Sequence, residues 1–149
     1  MIVQLKSTEY VDALHNLETL CFDSEAWSKK ALAELFESTF ATVLAYTINE
    51  QVVAYISYFA IADEMQIATV AVHPDFRRQG IASKLIERAE ECAKQNGCTI
   101  GELEVNTKNF NAVSLYQKMG YSAVGIRKNF YPKDVTFGSK DGYTMIKQL

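Results

Sequence analysis

Proline is the scarcest punctuation in this chain: Pro74 and Pro132 are the only two among 149 residues. Both fall at breaks between stretches that read as regular structure, where a fixed φ and a missing N–H do no harm. Cysteine is nearly as sparse. Cys21, Cys92 and Cys98 are an odd number without metal-ligand spacing, so they are expected to be reduced, mostly buried thiols. The two histidines, His15 and His73, have no partner of metal-binding type, and neither they nor the cysteines are assigned a ligand or catalytic role; no metal is expected. Basic charge is not in excess. Fifteen Lys and Arg against 18 Asp and Glu give a net charge of −3, which argues against nucleic acid as the main partner and leaves room for a basic polypeptide. No apolar run approaches the ~20 residues that cross a bilayer. The stretch Met1-Ile2-Val3-Gln4-Leu5-Lys6 lacks the shape of a signal peptide. A cytoplasmic protein without membrane attachment is the expectation.

What is present reads as globular. Hydrophobic residues make up 48% and charged residues 22%, enough for one domain over residues 1–149 with a proper core. Ile2–Lys6 alternates like a strand. Thr8 or Ser7 can cap a helix bearing Val11, Leu14, Leu17 and Cys21 at helical spacing, and Ser28 can cap a second with Leu32, Leu35 and Phe36 on one side. Thr42–Ile48 and Val52–Ile61 are rich in β-branched and aromatic residues, with a hairpin turn at Asn49-Glu50-Gln51. A strand over Glu64–Val72 precedes a helix running from Gly80 to about Asn96-Gly97. There Ile81, Leu85, Ile86, Ala89 and Ala93 share one face, and glycine ends the helix. A strand over Ile100–Asn106 follows, then a short helix capped by Asn109 or Asn111 and ending at Met119-Gly120, then strands over Tyr121–Arg127 and Tyr143–Lys147. The order β-α-α-β-β-β-α-β-α-β-β excludes an all-parallel doubly wound sheet and predicts a mixed α/β fold.

Two segments carry chemistry. In the first, Arg77-Arg78-Gln79-Gly80-Ile81-Ala82 lies between a strand and an amphipathic helix. A helix start presents unpaired N–H groups and partial positive charge, and Gly80 lets a bulky anion reach the backbone. The segment therefore suits a pyrophosphate. It lacks the Gly-Lys-Ser/Thr of a Walker loop and two of the three glycines of the dinucleotide fingerprint. The bland alternative is an ordinary helix start with solvated arginines.

In the second, Glu102 and Glu104 sit two apart on one strand, hence on one face. A carboxyl group whose pKa is raised by burial can act as a general base; the alternative is a solvated face near the strand ends. Tyr116, one turn from Ala112, has the spacing of a core aromatic.

Arginine or glutamine, two residues, glycine, one residue, then glycine or alanine resembles the acetyl-coenzyme A signature of the GCN5-related N-acetyltransferases, and Asn109, Tyr116 and Gly120-Tyr121 resemble their second signature. The likeness covers essentially the whole chain and is nearest to the bacterial RimI-type ribosomal-protein alanine acetyltransferases. Phe22–Ser28 resembles their Pro-Trp-Ser segment, with Ala26 in place of proline. Arg127-Lys128-Asn129-Phe130-Tyr131-Pro132 resembles their Arg-Arg-Asn-Tyr-Tyr-Pro stretch, with Phe130 in place of tyrosine. Asp141-Gly142-Tyr143-Thr144-Met145 resembles their last strand.

The resemblance implies the mixed, mostly antiparallel sheet of that fold and acetyl transfer from acetyl-CoA to a polypeptide N-terminus, that of a ribosomal protein. It implies that Val70, Ala71 and Val72 offer backbone groups to the pantetheine arm, that Arg77 through Ala82 hold the pyrophosphate, and that Asn109 bonds the cofactor. It implies Glu104 as base, directly or through water, Tyr116 as the acid that protonates the leaving thiolate, and Trp27 and Tyr131 as substrate contacts. An α-amine, with a pKa near ~8, needs less help from a base than a lysine near ~10.4. The other readings are acetylation of a small amine or lysine side chain, and a non-catalytic acyl-CoA-binding regulatory domain.

Overall fold

The β-branched and aromatic runs form strands and the 3.6-period runs form helices, in the expected order. In a computed structural model that describes residues 1–131 and 139–149, the strands are β1 (Ile2–Leu5), β2 (Ala41–Ile48), β3 (Gln51–Ile61), β4 (Glu64–Val72), β5 (Ile100–Asn106), β6 (Ser122–Arg127) and β7 (Gly142–Gln148). The helices are α1 (Val11–Phe22), α2 (Lys29–Glu37), α3 (Ile81–Gln95) and α4 (Phe110–Lys118). Pro132, expected at a break, lies outside the described residues.

Local chemistry sets the boundaries. The Ser7 hydroxyl accepts from Glu9 N–H and starts a 3₁₀ turn, Thr8–Tyr10, that leads into α1, so the serine and not Thr8 is the cap. The Ser28 hydroxyl accepts from Ala31 N–H at 3.1 Å, and Asn109 Oδ1 accepts from Ala112 N–H at 3.3 Å, leaving Asn111 inside α4. After α3, Gly97 takes φ +92, and Cys98 N–H returns to Ala93 C=O at 2.9 Å. The turn between β2 and β3 is tighter than expected. Asn49 and Glu50 both have positive φ, and Gln51 already pairs with Ile48. Two left-handed central residues match the twist of the flanking strands.

The described strands form one sheet in the order β1-β2-β3-β4-β5-β7-β6, antiparallel at every pairing except β4 with β5. Each face carries its own apolar cluster. On one, Ile81, Leu85, Ile86, Ala89 and Ala93 of α3 pack on Ile56, Tyr58 and Met65, with Tyr116 of α4 in the same cluster. On the other, Leu14 and Leu17 of α1 and Leu32 and Leu35 of α2 pack on Val43, Ala45, Tyr55 and Ala71. Among the thiols only Cys98 is fully buried; Cys21 and Cys92 are half-buried, a correction to the expected burial. Among the described residues, no helix is long and apolar enough to cross a membrane.

One irregularity positions the site. The parallel pairing of β4 with β5 runs only from Glu64–Ile67 against Ile100–Leu103. At that point β4 carries a bulge: Tyr58 pairs with Ile67 and Ser57 with Thr69, so Ala68 is skipped. A bulge bends its strand and ends regular pairing. Beyond it β4 stays with β3, β5 stays with β7, and the sheet opens between them.

A close contact steadies β5. A Cβ added to Gly101 would lie 2.7 Å from the Tyr121 hydroxyl. That ring is buried, and its hydroxyl donates to Glu90, which also pairs with Lys147 at 2.9 Å. The ring cannot swing away without breaking this network. Gly101→Ala is expected to destabilise the fold by about 1–3 kcal/mol through overpacking, read as a lower urea midpoint at unchanged slope.

Candidate active site

Where β4 and β5 part, the protein holds a cavity of about 420 Å³. Its walls are Ile67, Ala68, Thr69 and Val70 from β4 and Leu103 through Asn106 from β5; Asn109, Ala112 and Tyr116 come from the α4 side, and Trp27 and Tyr131 reach it from two loops.

The period-two alternation of β5 decides which side chains face which way. Leu103 and Val105 enter the cluster under α3 and α4, so Glu102 and Glu104 point to the face of α1 and α2. Both acids are half-buried, and Glu104 lines the cavity. Thr144 stands directly opposite Glu104 on β7, and its hydroxyl lies 2.9 Å from Oε2 and 3.1 Å from Oε1, donating to the carboxylate. Arg127 pairs with the same carboxylate at 3.4 Å while its guanidinium lies over the Phe130 ring at 4.7 Å.

Tyr116 is on the other side of the opening. It is buried against Tyr121, and burial pushes its phenol up to about 12, the nearby Tyr131 adding to the shift. It therefore holds its proton at neutral pH. A carboxylate and a protonated phenol thus face one gap from opposite faces of the sheet. A group entering from the α1/α2 face meets the carboxylate, and one departing toward α4 meets the phenol.

The segment after β4 forms a different surface. Arg78 has φ +64 and Gly80 φ +76, so two left-handed residues turn the backbone into α3. Among the described residues, no side chain caps the first turn of α3, and a Cβ on Gly80 would touch nothing within 4 Å. Free N–H groups and an open approach form an anion-accepting concavity. Arg78 and Gln79 are exposed there, and Ala82 is half-buried in the first turn. Ile81, the first residue of α3, is a core residue. Arg77 turns back, its Nε donating to Val72 C=O at 3.0 Å, and the Cys21 thiol donates to the same carbonyl at 3.3 Å. Of the expected pantetheine residues, Val70 lines the cavity, Ala71 packs in the α1/α2 cluster, and Val72 has this occupied carbonyl.

Asn109 combines two positions, capping α4 and lining the cavity. Trp27 and Tyr131 stand at the rim. Phe130 does not line the cavity; with Tyr131 it packs on Gly142, where a Cβ would meet both rings at 3.3–3.4 Å. Three features escaped the sequence. The Ala68 bulge has no signal. Thr144 is found only once β5 and β7 are paired. Glu18 had one: it continues the apolar stripe of Leu14, Leu17 and Cys21, an acid on a core face.

Known proteins resemble this chain in sequence and in fold. Residues 11–121 match the Acetyltransferase (GNAT) family profile. The ribosomal protein bS18-alanine N-acetyltransferase of Escherichia coli strain K12 is 30% identical over 119 residues, 80% of this chain and 78% of that one. The crystal structure of the ribosomal-protein-S18-alanine N-acetyltransferase from Escherichia coli superimposes with a TM-score of 0.88 at 28% identity, covering 99% of this chain and 92% of that one. A GNAT family acetyltransferase from Elizabethkingia anophelis with acetyl-CoA bound shares the fold at a TM-score of 0.80 and 19% identity, covering 100% of this chain and 97% of that one.

This chain belongs to the GNAT acetyltransferase family. It is an N-acetyltransferase that takes its acetyl group from acetyl-CoA. The split sheet and the uncapped, open start of α3 fit that donor: one leaves strand edges free along an arm, the other receives anionic oxygens.

The buried phenols make the fold sensitive to alkali. Tyr116 and Tyr131 are both pushed up to about 12 from the ordinary value of 10, mainly by burial. As pH rises above about 10, unfolded tyrosines release protons that the folded ones keep, so the unfolded state gains and stability falls. The urea midpoint is expected to drop steadily between about pH 10 and about pH 11, and to drop less in Tyr116→Phe. An identical slope in wild type and variant would contradict the assignment.

Proposed function

We propose that this acetyltransferase acts on the α-amino group of a protein N-terminus, and that its substrate is the N-terminal alanine of a small-subunit ribosomal protein in the cytoplasm. The arrangement that favours this most is the Glu104 carboxylate and Tyr116 phenol facing one gap from opposite faces, beneath a rim formed by Trp27 and Tyr131. Among the described residues, the cavity lining includes the Glu104 carboxylate and no Lys or Arg, which suits a cationic amine. The Escherichia coli relative, a ribosomal protein bS18-alanine N-acetyltransferase, supports the N-terminal alanine.

Acetyl-CoA supplies an activated acetyl thioester; the residues of this chain do the rest. The N–H groups from Arg78 to Ala82, with the exposed Arg78 and Gln79 side chains, hold the pyrophosphate, and Arg77 braces the loop on β4. Val70, Ala71 and Val72 offer strand groups to the pantetheine arm, and the Asn109 side-chain amide, whose Oδ1 caps α4, donates to it through its NH₂ group. Glu104 accepts the proton of the incoming ammonium, directly or through one water, and Thr144 and Arg127 keep its carboxylate in place. Since an α-ammonium has a pKa near ~8, a modest base is enough. Tyr116 donates its proton to the departing sulfur, which needs a phenol that is neutral at working pH. A lysine side chain or polyamine, with a pKa near ~10.4, places a larger demand on the same carboxylate and is the second reading.

Mass spectrometry after incubation with acetyl-CoA tests the substrate. Peptides copying small-subunit ribosomal N-termini, the same peptides with blocked N-termini and an internal lysine, and free polyamines are compared. Acetylation confined to the free α-amine is expected; equal turnover of polyamines would overturn the N-terminal reading. The roles are tested separately. Glu104→Gln and Tyr116→Phe should each lower kcat by about 10²–10⁴-fold while acetyl-CoA binding and melting temperature stay close to wild type. Normal turnover in Tyr116→Phe would return that ring to a packing role.

A further inference from the structure

Helix α1 carries an acid where its apolar stripe should continue. Glu18 is fully buried and yet borders the cavity. Burying a carboxylate is costly unless both oxygens are satisfied, and here both are. The Tyr55 hydroxyl donates to Oε1 and the Trp27 N–H donates to Oε2 at 3.1 Å. Burial pushes the carboxyl pKa up, and these two bonds oppose the shift.

The same helix holds the other side of Trp27. One turn earlier, His15 Nδ1–H donates to the Trp27 carbonyl at 3.0 Å. Residues three apart on α1 therefore grip one residue by both its N–H and its C=O. From Glu18 the bonding continues inward to Tyr55 of β3, which pairs with Ala71 of β4, two residues past Thr69, and Thr69 lines the cavity just past the Ala68 bulge. A chain of hydrogen bonds runs Trp27–Glu18–Tyr55, from the rim on the α1/α2 face to β3, the strand to which β4 stays paired. That is the face to which Glu104 points.

We propose that Glu18 is a positioning residue for the acceptor: through Trp27 and Tyr55, with His15 as the second jaw, it fixes the rim against β3, the partner strand of β4, so that the acceptor amine is presented to Glu104. The proposal rests on the acceptor entering beside Trp27, as in the proposed function. It adds a residue that does not itself touch the reacting atoms. A simple packing acid would serve equally well with its bonds directed to any neighbours. This one joins the only rim tryptophan to the strand that holds β4 where the sheet opens.

Two variants keep the test independent of folding failure. Glu18→Gln preserves size and one acceptor in the core. His15→Ala acts at a half-buried site and leaves Glu18 in place. Trp27 is the only tryptophan in the chain, so its fluorescence reports the rim without any substrate. In both variants the emission should shift to longer wavelength and acrylamide quenching should increase. The KM for whichever acceptor the wild type uses should rise by about tenfold, and acetyl-CoA affinity by calorimetry should stay within about twofold. Tyr55→Phe should behave like Glu18→Gln. The wild-type acceptor panel alone decides the substrate class, so a failure there is separate from a failure here. Unchanged Trp27 emission with unchanged acceptor KM in folded Glu18→Gln would overturn the proposal. So would an equal rise in KM for both substrates.

Discussion

The structure depends on an interruption: two parallel strands, β4 and β5, pair for four residues and then separate. A sheet that opens in its middle leaves backbone N–H and C=O groups facing each other across a gap, and such groups are costly inside a protein unless something bonds them. The surrounding fold tolerates the gap because each strand keeps its other neighbour. β4 stays zipped to β3 and β5 to β7 through the full length of the opening. Helices close the flanks, α4 on one face and the α1–α2 pair on the other. An acyl donor with a long polar arm is the kind of ligand that can take the place of a missing strand.

The opening also separates chemical roles by sheet geometry. Because strand side chains alternate, one strand sends Leu103 and Val105 into the core and Glu104 to the opposite face, while Tyr116 arrives from a helix on the core side. The carboxylate is held by Thr144 and Arg127 from neighbouring elements, and the phenol by burial against Tyr121. A carboxylate and a phenol can then border one cavity without exchanging a proton, since burial pushes the phenol up to about 12. The rim follows the same logic. It is built from loops, but its tryptophan is tied by backbone bonds to a helix whose apolar face anchors it to the sheet.

Much of this was legible in the chain. The order of elements, the face of α3, the serine and asparagine caps and the glycine after α3 follow from side-chain spacing and from groups that bond their own neighbours. All are local, and local chemistry is written in consecutive residues. The Gly80 loop was readable for the same reason: a helix start and the glycine that opens it lie within six residues. Expectations about burial fared less well. Cys21 and Cys92 are only half-buried, because a helix face does not state how far its edge is covered.

By itself, then, the sequence determined which segments become strands and helices, which faces are apolar, where a glycine opens a helix start, and that Glu102 and Glu104 share a side. Only the tertiary structure decided where β5 leaves β4, that Glu104 borders the cavity, that Thr144 stands opposite it, and that a buried Glu18 holds the rim. Those outcomes depend on partners 40, 37 or nine residues away along the chain. Spacing fixes what one segment can present; pairing and packing between segments choose which presented groups meet.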